Sequence, residues 1–172
     1  MTKIVLKIFS ILLILTTALA LSNCSKDNPV NVLPEDVAGT YEFLRYSFVP
    51  NASAVQSVNL LDTLVTQNTY VRLTDGGQFI INYQFLGGPQ TFINGDFTLN
   101  QSRIVFQAAP GNEARLTSLL LTSPLRFDRN LSDNTLESFT ERTADLAAFS
   151  DRYQGVPPVE GRLEIILQLM DE

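Results

Sequence analysis

The chain has 172 residues, 45% of them apolar, which is enough for one folded domain with a substantial core. Its 18 acidic and 12 basic residues give a formal net charge of −6, which disfavours binding to a nucleic-acid backbone. The single cysteine excludes an internal disulfide, and the absence of histidine removes the usual general base and the commonest metal ligand. We therefore expect a core-stabilised domain with no nucleic-acid partner.

The first 23 residues have the pattern of an export signal. Lys3 and Lys7 form a short positive region before an apolar stretch over residues 8–21. This stretch is shorter and more interrupted than the roughly 20 apolar residues of a membrane-spanning helix. We predict that residues 1–23 are a signal peptide and that the protein is exported.

Two cleavage sites compete at the end of this segment. The sequence ALA ends at Ala20 and fits ordinary signal peptidase, which recognises small residues. The sequence LSNC, residues 21–24, resembles a bacterial lipobox, in which Cys24 receives the lipid, although Asn23 departs from the usual Gly, Ala or Ser. A polar, proline-bearing tether over residues 24–36 follows, as an anchored protein needs.

We therefore predict a lipoprotein attached to a membrane through Cys24. Ser25, rather than an Asp, follows the cysteine and favours the bacterial outer membrane, on its periplasmic or surface face. The alternative is a secreted or periplasmic soluble protein that is cut after Ala20. A catalytic role for Cys24 is not expected, because it has no histidine partner and precedes every predicted folded element.

From Gly39 onward, strand patterns alternate with turn signals. The clearest unit is a hairpin over residues 69–88, in which Asp75-Gly76-Gly77 turns the chain and apolar residues alternate along the return strand. A second hairpin over residues 91–112 repeats this logic. We also expect a short helix at 34–38 and strands in the segments 39–48, 58–67, 114–123, 124–139 and 161–172.

One segment near the C-terminus has a helical pattern instead. Phe139, Leu146, Phe149 and Tyr153 fall at helical spacing, between a capping-box pattern and a glycine that can end a helix. We predict an α-helix over residues 140–153 that packs on the sheet.

These elements predict an all-β domain over residues 37–172. Brief turns between successive strands favour an antiparallel meander of about eight to nine strands, with one short α-helix near the C-terminus. Closing such a sheet removes its exposed edges, so we expect a β-barrel. A β-sandwich is the alternative, because periodicity does not separate the two.

Three stretches carry a resemblance to bacterial lipocalin-like lipoproteins of the Bacteroidetes type. VAGTYEF (37–43) resembles the Gly-x-Trp motif that opens the first lipocalin strand, with a tyrosine in place of tryptophan. LTDGGQFIINYQF (73–85) resembles the central hairpin of that family, and NGDFTLNQSRIVF (94–106) resembles the next strand pair. The resemblance implies a barrel with one end closed by the opening motif.

The same resemblance implies structural roles for three residues. Gly39 and Tyr41 stand at the opening motif and would close one end of the barrel. An arginine from a late strand lies across the aromatic ring in this family, and Arg162 is its counterpart by position.

The central strands are rich in aromatic residues. An eight-stranded barrel is just wide enough to be filled by side chains or to hold one small ligand, so these residues form either a packed core or the wall of a cavity. The candidates are Phe79, Tyr83, Phe85, Phe92, Phe97 and Phe106.

No motif predicts catalysis. The oxygen-rich segment from Asp128 to Asp133 lacks the Gly and Glu positions of an EF-hand calcium loop, and we interpret it as a turn. We predict no catalytic residue, cofactor or metal, and hence no enzyme. The predicted function is a lipid-anchored cell-envelope β-barrel that binds a small apolar or amphipathic ligand. The alternative is a non-catalytic envelope scaffold or protein-interaction module with a filled core, and a protein partner in the envelope.

Overall fold

A computed structural model of the chain describes residues 32–170. The predicted signal peptide, Cys24 and residues 24–31 of the predicted tether lie outside the described residues. The described residues belong to one compact unit. Within the described residues, no helix is long and apolar enough to cross a membrane.

The described part of the chain is built mainly of β-strands, with one short α-helix. The elements are β1 (Gly39–Pro50), β2 (Val58–Asn59), β3 (Tyr70–Leu73), β4 (Gln78–Gln84), β5 (Gln90–Asn100), β6 (Arg103–Ala108), α1 (Glu113–Ser118), β7 (Leu125–Asn130), β8 (Thr135–Ala144) and β9 (Val159–Leu169). Single turns of 3-10 helix occur at Pro34–Asp36, Leu60–Thr63, Thr66–Asn68, Leu146–Ala148 and Asp151–Tyr153.

Eight of the strands close into an antiparallel barrel. β1 pairs with β3, each later strand pairs with the next one along the chain, and β9 returns to β1. The closing pair runs from Tyr41↔Leu169 to Pro50↔Gly161, with one irregularity between Phe43 and Arg45. β2 adds two residues beside the second half of β1. The predicted all-β barrel is confirmed, and the single closed sheet distinguishes it from a sandwich.

The barrel has two ends that are covered differently. The proximal end, where β1 begins and β9 finishes, carries the 3-10 turn at Pro34–Asp36 and brief hairpin turns. The distal end carries the long connections over residues 51–69, 109–124 and 145–158. Buried apolar side chains from these connections cover the distal end of the core, namely Leu60, Leu64, Leu116, Leu119, Leu121, Leu146 and Tyr153.

The helix predicted over residues 140–153 is wrong. β8 continues to Ala144, which pairs with Val159, and two separate 3-10 turns follow. Ten residues of pairing with β9 outweigh the local helical pattern, because strand formation depends on long-range packing. Leu146 and Tyr153 are both buried, but they belong to separate 3-10 turns with the extended Ser150 between them.

The single short α-helix of the described residues lies elsewhere than near the C-terminus. Residues 114–123, predicted as a strand, instead contain most of α1 and an irregular segment that covers the distal end. A short apolar run fits a buried strand or a buried helical turn equally well, so this error is inherent in the pattern. The strand predicted over 58–67 is limited to β2, and its remainder forms 3-10 turns.

Candidate functional site

The structure brings four of the six predicted aromatic residues together inside the barrel. Phe79, Tyr83, Phe97 and Phe106 are each at most 5% exposed. The Phe79 and Phe106 rings stack with centroids 4.6 Å apart, and Phe97 lies 6.3 Å from Phe106. Phe127 of β7 joins them at 5.0 Å from Phe106, although it was not among the residues predicted from the sequence. Its alternation with Leu125 was the signal that could have identified it.

A glycine makes this close packing possible. The inward position next to Phe79 on β5 is Gly95, and a Cβ atom there would lie 2.8 Å from Phe79 Cε1. The missing side chain therefore leaves the space that the Phe79 ring fills. The interior at this level is occupied by rings in contact with one another and with the wall.

The other two predicted aromatics lie outside this cluster. Phe85 is half-buried beyond the end of β4, with its ring edge-on to Tyr83 at 5.6 Å. Phe92 is 56% exposed on the outer face, where the guanidinium carbon of Arg115 lies 5.7 Å from its ring centroid. Phe92 is therefore not a core or cavity residue, because alternation along β5 turns its neighbour Ile93 inward instead.

Two tyrosines join the interior to the distal cover. The Tyr46 hydroxyl donates to the Leu119 carbonyl, and the hydroxyls of Tyr83 and Ser118 lie 3.3 Å apart. Burial raises the pKa of Tyr46 above its ordinary value, and the neighbouring Tyr83 adds to this effect. Tyr46 therefore keeps its proton and remains a donor to the segment after α1.

Gly39 and Tyr41 lie at the proximal end of the barrel, at the start of β1. Gly39 has φ +152°, and a Cβ atom there would lie 2.6 Å from Leu169 Cδ1, so β9 approaches closely at this point. The buried Tyr41 hydroxyl donates to the Val37 carbonyl at 2.8 Å, which fixes the preceding turn against the barrel. Burial raises the pKa of Tyr41, and the charge of Arg129 acts against this rise.

Arg162 does not lie across Tyr41. Its guanidinium carbon is 5.8 Å from the Phe139 ring centroid, and the side chain forms an ion pair with Glu164. Arg129 of β7 is the arginine beside Tyr41 instead, and its Nη2 donates to the Asp36 carbonyl at 3.0 Å. The position of Arg162 along the last strand therefore did not identify the arginine near Tyr41, because alternation turns Arg162 to the outer face of β9.

Three grooves in the described part of the chain lie at loops and strand edges. One of about 430 Å³ lies beside α1, and another of about 540 Å³ lies between Asn51, Glu160 and residues 141–143. A third, of about 520 Å³, lies between β7 and β8, and we name it the β7–β8 opening. None of the six predicted aromatic residues lines any of these three grooves.

The β7–β8 opening arises where two strands stop pairing. β7 and β8 are joined only from Asp128↔Glu137 to Asn130↔Thr135, whereas β8 pairs with β9 along its whole length. The lining residues are mostly polar or charged, namely Arg103, Thr122, Pro124, Leu125, Arg126, Asp128, Glu137, Ser138, Phe139, Thr140 and Arg142. Its lining includes more charged side chains than that of either other groove.

The carboxylates of this opening already have partners. Asp128 forms an ion pair with Arg103 at 2.9 Å, and Glu137 accepts from Asn130 and Thr135 at 3.3 and 3.2 Å. Arg126 and Arg142 form no ion pair with any residue that the structure describes. The opening is therefore locally positive on a protein of negative net charge.

Comparison with known proteins identifies no family. No protein-family model matches the chain, and no curated protein matches it. Among solved structures, the chain is similar to an uncharacterized protein from Bacteroides eggerthii, at 15% identity and a TM-score of 0.38. The match covers 77% of this chain and 99% of that chain. The functional conclusion therefore depends on the geometry described above.

Proposed function

We propose that the protein is a lipid-anchored, non-catalytic β-barrel of lipocalin-like type in the cell envelope, and that it acts through its surface as a protein-interaction module. The observation that carries this proposal is the packed aromatic cluster around Phe106. Of the two functions predicted from the sequence, a filled core supports the interaction module rather than a ligand held inside the barrel.

The dimensions of the interior support this choice. A drug-sized ligand needs a pocket of roughly 300–1,000 Å³. In this barrel the corresponding space holds Phe79, Phe97, Phe106 and Phe127, with Phe79 and Phe106 both fully buried and in ring-to-ring contact. Both ends are also covered, by the Tyr41 region and by the long distal connections. Grooves of ligand size occur instead on the outside of the barrel.

A titration with a fluorescent polyunsaturated fatty acid tests the filled core. The wild-type chain should show no saturable binding of the fatty acid inside the barrel. Phe106→Ala should create an apolar cavity, and a separate titration should show that this variant binds benzene. Phe92→Ala removes a ring from the outer face and serves as the matched control that creates no cavity. Saturable wild-type binding of the fatty acid that is lost in Phe106→Trp would contradict the filled core and restore the ligand-binding function.

Labelling with a radioactive fatty acid tests the anchor. The wild-type chain should incorporate the label when it is expressed in a bacterial envelope, and Cys24→Ala should not. Ser25→Ala is the matched control and should be labelled like the wild type. Equal labelling of wild type and Cys24→Ala would rule out attachment at this cysteine.

A second candidate function is binding of a small amphipathic ligand in the groove beside α1. This groove of about 430 Å³ combines apolar side chains, including Pro110 and Leu121, with the polar Gln107 and Thr122. Fatty-acid binding that survives Phe106→Trp but is blocked by Thr117→Trp, which would fill the groove, would support this second function.

A further inference from the structure

The β7–β8 opening exposes one edge of β8. The backbone N–H of Arg129 points away from β8 and donates to the Ser102 carbonyl. The backbone N–H and C=O groups of its neighbours Asp128 and Asn130 therefore point towards β8, where these residues pair with Glu137 and Thr135. Backbone groups of successive strand residues point to opposite edges. The residues that follow Glu137 at every second position therefore turn their N–H and C=O groups towards the opening, namely Phe139, Glu141 and Thr143.

One hydrogen bond supports this assignment directly. Arg142 Nη1 donates to the Glu141 carbonyl at 3.2 Å, and Arg142 Nη2 donates to Thr122 Oγ1 at 2.8 Å on the other side of the opening. A single side chain thus spans the space between β8 and the segment before β7. The Nε of Arg142 is buried and has no hydrogen-bond partner among the described residues.

The length of this free edge fits a short peptide strand. Residues 139–143 cover about 17 Å at roughly 3.3 Å per residue, which corresponds to a peptide of about five to seven residues. Main-chain hydrogen bonds to an exposed sheet edge are an established way for one protein to hold an extended segment of another.

The charges beside the edge select the kind of segment. Arg126 and Arg142 line the opening without an ionic partner in the described residues, and guanidinium groups bind carboxylates through two parallel hydrogen bonds. Leu125, Pro124 and Phe139 supply apolar surface beside them. Arg126 lies on the outer face of β7, whereas Leu125 faces inward. A strand that turns acidic side chains outward and apolar side chains inward is complementary to this lining.

We propose that the free edge of β8 binds an extended acidic segment of a partner protein, which adds a strand within the β7–β8 opening and directs its carboxylates to Arg126 on the outer face. The inference rests on the proposed interaction function and names the partner class for it. Backbone pairing provides the attachment, and the two arginines provide the preference for acidic sequences. Arg142 would release the Glu141 carbonyl, which then accepts from the backbone of the added strand, and its charge would stay beside the edge.

Two capped heptapeptides of alternating valine and glutamate, or valine and lysine, are the probes. The purified full chain is titrated with each peptide and followed by NMR. The glutamate peptide should bind at least about tenfold more tightly than the lysine peptide. The double variant Arg126→Gln, Arg142→Gln should weaken that binding by about tenfold or more. Arg72→Gln, on the exposed outer face of β3, is the matched control and should change nothing.

A backbone variant separates strand addition from simple charge attraction. Thr143→Pro removes an N–H that faces the opening and leaves the β9 ladder intact, whereas Thr143→Ala keeps it. The proline variant should lose peptide-induced protection at Phe139 and Glu141, and protection of Ser138 and Thr140 against hydrogen exchange should show that it still folds.

Three outcomes would overturn this inference: equal binding of the two peptides, unchanged binding by Thr143→Pro, or protection of β8 by pairing between two copies of the chain. The proposed interaction function would survive these results if the fatty-acid titration still showed a filled core. The interaction function itself would be overturned only if the fatty-acid titration showed a ligand bound inside the barrel.

Discussion

The interior of the barrel and the β7–β8 opening are neighbouring regions with opposite chemistry. β7 contributes to both, because Leu125 and Phe127 face the aromatic core while Arg126 faces the opening. The interior is apolar and close-packed, whereas the opening is polar, positive and unpaired. The difference shows that this barrel is held together by its core and by the long β8–β9 ladder, so it can leave part of its wall open.

Removing an aromatic ring from the interior should have the largest effect on the stability of the protein. Phe106→Ala should lower the free energy of unfolding by about 3–5 kcal/mol, because it deletes the ring that contacts Phe79, Phe97 and Phe127. Chemical denaturation measures this change. Phe92→Ala on the outer face should cost about 1 kcal/mol or less, and equal costs for the two would show that the cluster is loosely packed.

Adding an atom to the interior should also destabilise the protein. Gly95→Ala should cost about 1–3 kcal/mol, because the new Cβ would press on Phe79 and on the backbone of β6, which cannot move away freely. Gly76→Ala is the control, since its Cβ would meet only Thr74 Oγ1 at 3.8 Å and should change stability by about 0.5 kcal/mol or less. Thermal unfolding of both variants decides whether the space beside Phe79 is as tight as the packing indicates.

Tyr46→Phe should cost about 1–2 kcal/mol near neutral pH, because the Leu119 carbonyl loses its buried donor. The raised pKa of Tyr46 also predicts a pH dependence. The folded state keeps the phenol proton at pH values where the unfolded chain, with a tyrosine pKa near 10, has released it. This stabilisation is therefore complete below about pH 10 and is lost as the pH rises above it.

Denaturation at a series of alkaline pH values measures the Tyr46 effect. The wild-type stability should fall above about pH 10, and Tyr46→Phe should fall less steeply over the same range. Tyr70→Phe, which removes a less buried phenol of β3, is the matched control. Parallel slopes for wild type and Tyr46→Phe would contradict the assignment.

The smallest effect on stability is expected in the opening. Arg126→Gln should change the free energy of unfolding by about 0.5 kcal/mol or less, because this exposed side chain makes no ion pair in the described part of the chain. A loss of more than about 2 kcal/mol would mean that Arg126 holds the fold together and is not available to a partner.

The sequence predicted the parts of the fold that depend on local signals. The hairpins at 69–88 and 91–112 were predictable because Asp75-Gly76-Gly77 and Asn100-Gln101-Ser102 are turn signals between alternating strands. The positions of Phe79 and Phe106 inside the barrel followed from the same alternation. Alternation applied to residues 91–97 would also have placed Phe92 outside.

The remaining features depend on contacts between distant residues. Nothing local distinguishes the edge of β8 that pairs with β9 from the edge that faces the opening, because the difference comes from the short β7 and from the route of residues 109–124. The end of β8 was misassigned as a helix because pairing with β9 overrides its local pattern. Arg129 was not predicted beside Tyr41, because this proximity depends on barrel closure.

Amide hydrogen exchange along β8 decides whether a barrel with a filled core leaves one strand edge open to a partner. In the unliganded protein, the amides that face β9 should exchange slowly, namely those of Ser138, Thr140 and Arg142. The amides that face the opening should exchange much faster, namely those of Phe139, Glu141 and Thr143. Uniformly slow exchange along the whole strand would mean that the edge is already paired, and would contradict a free edge on β8.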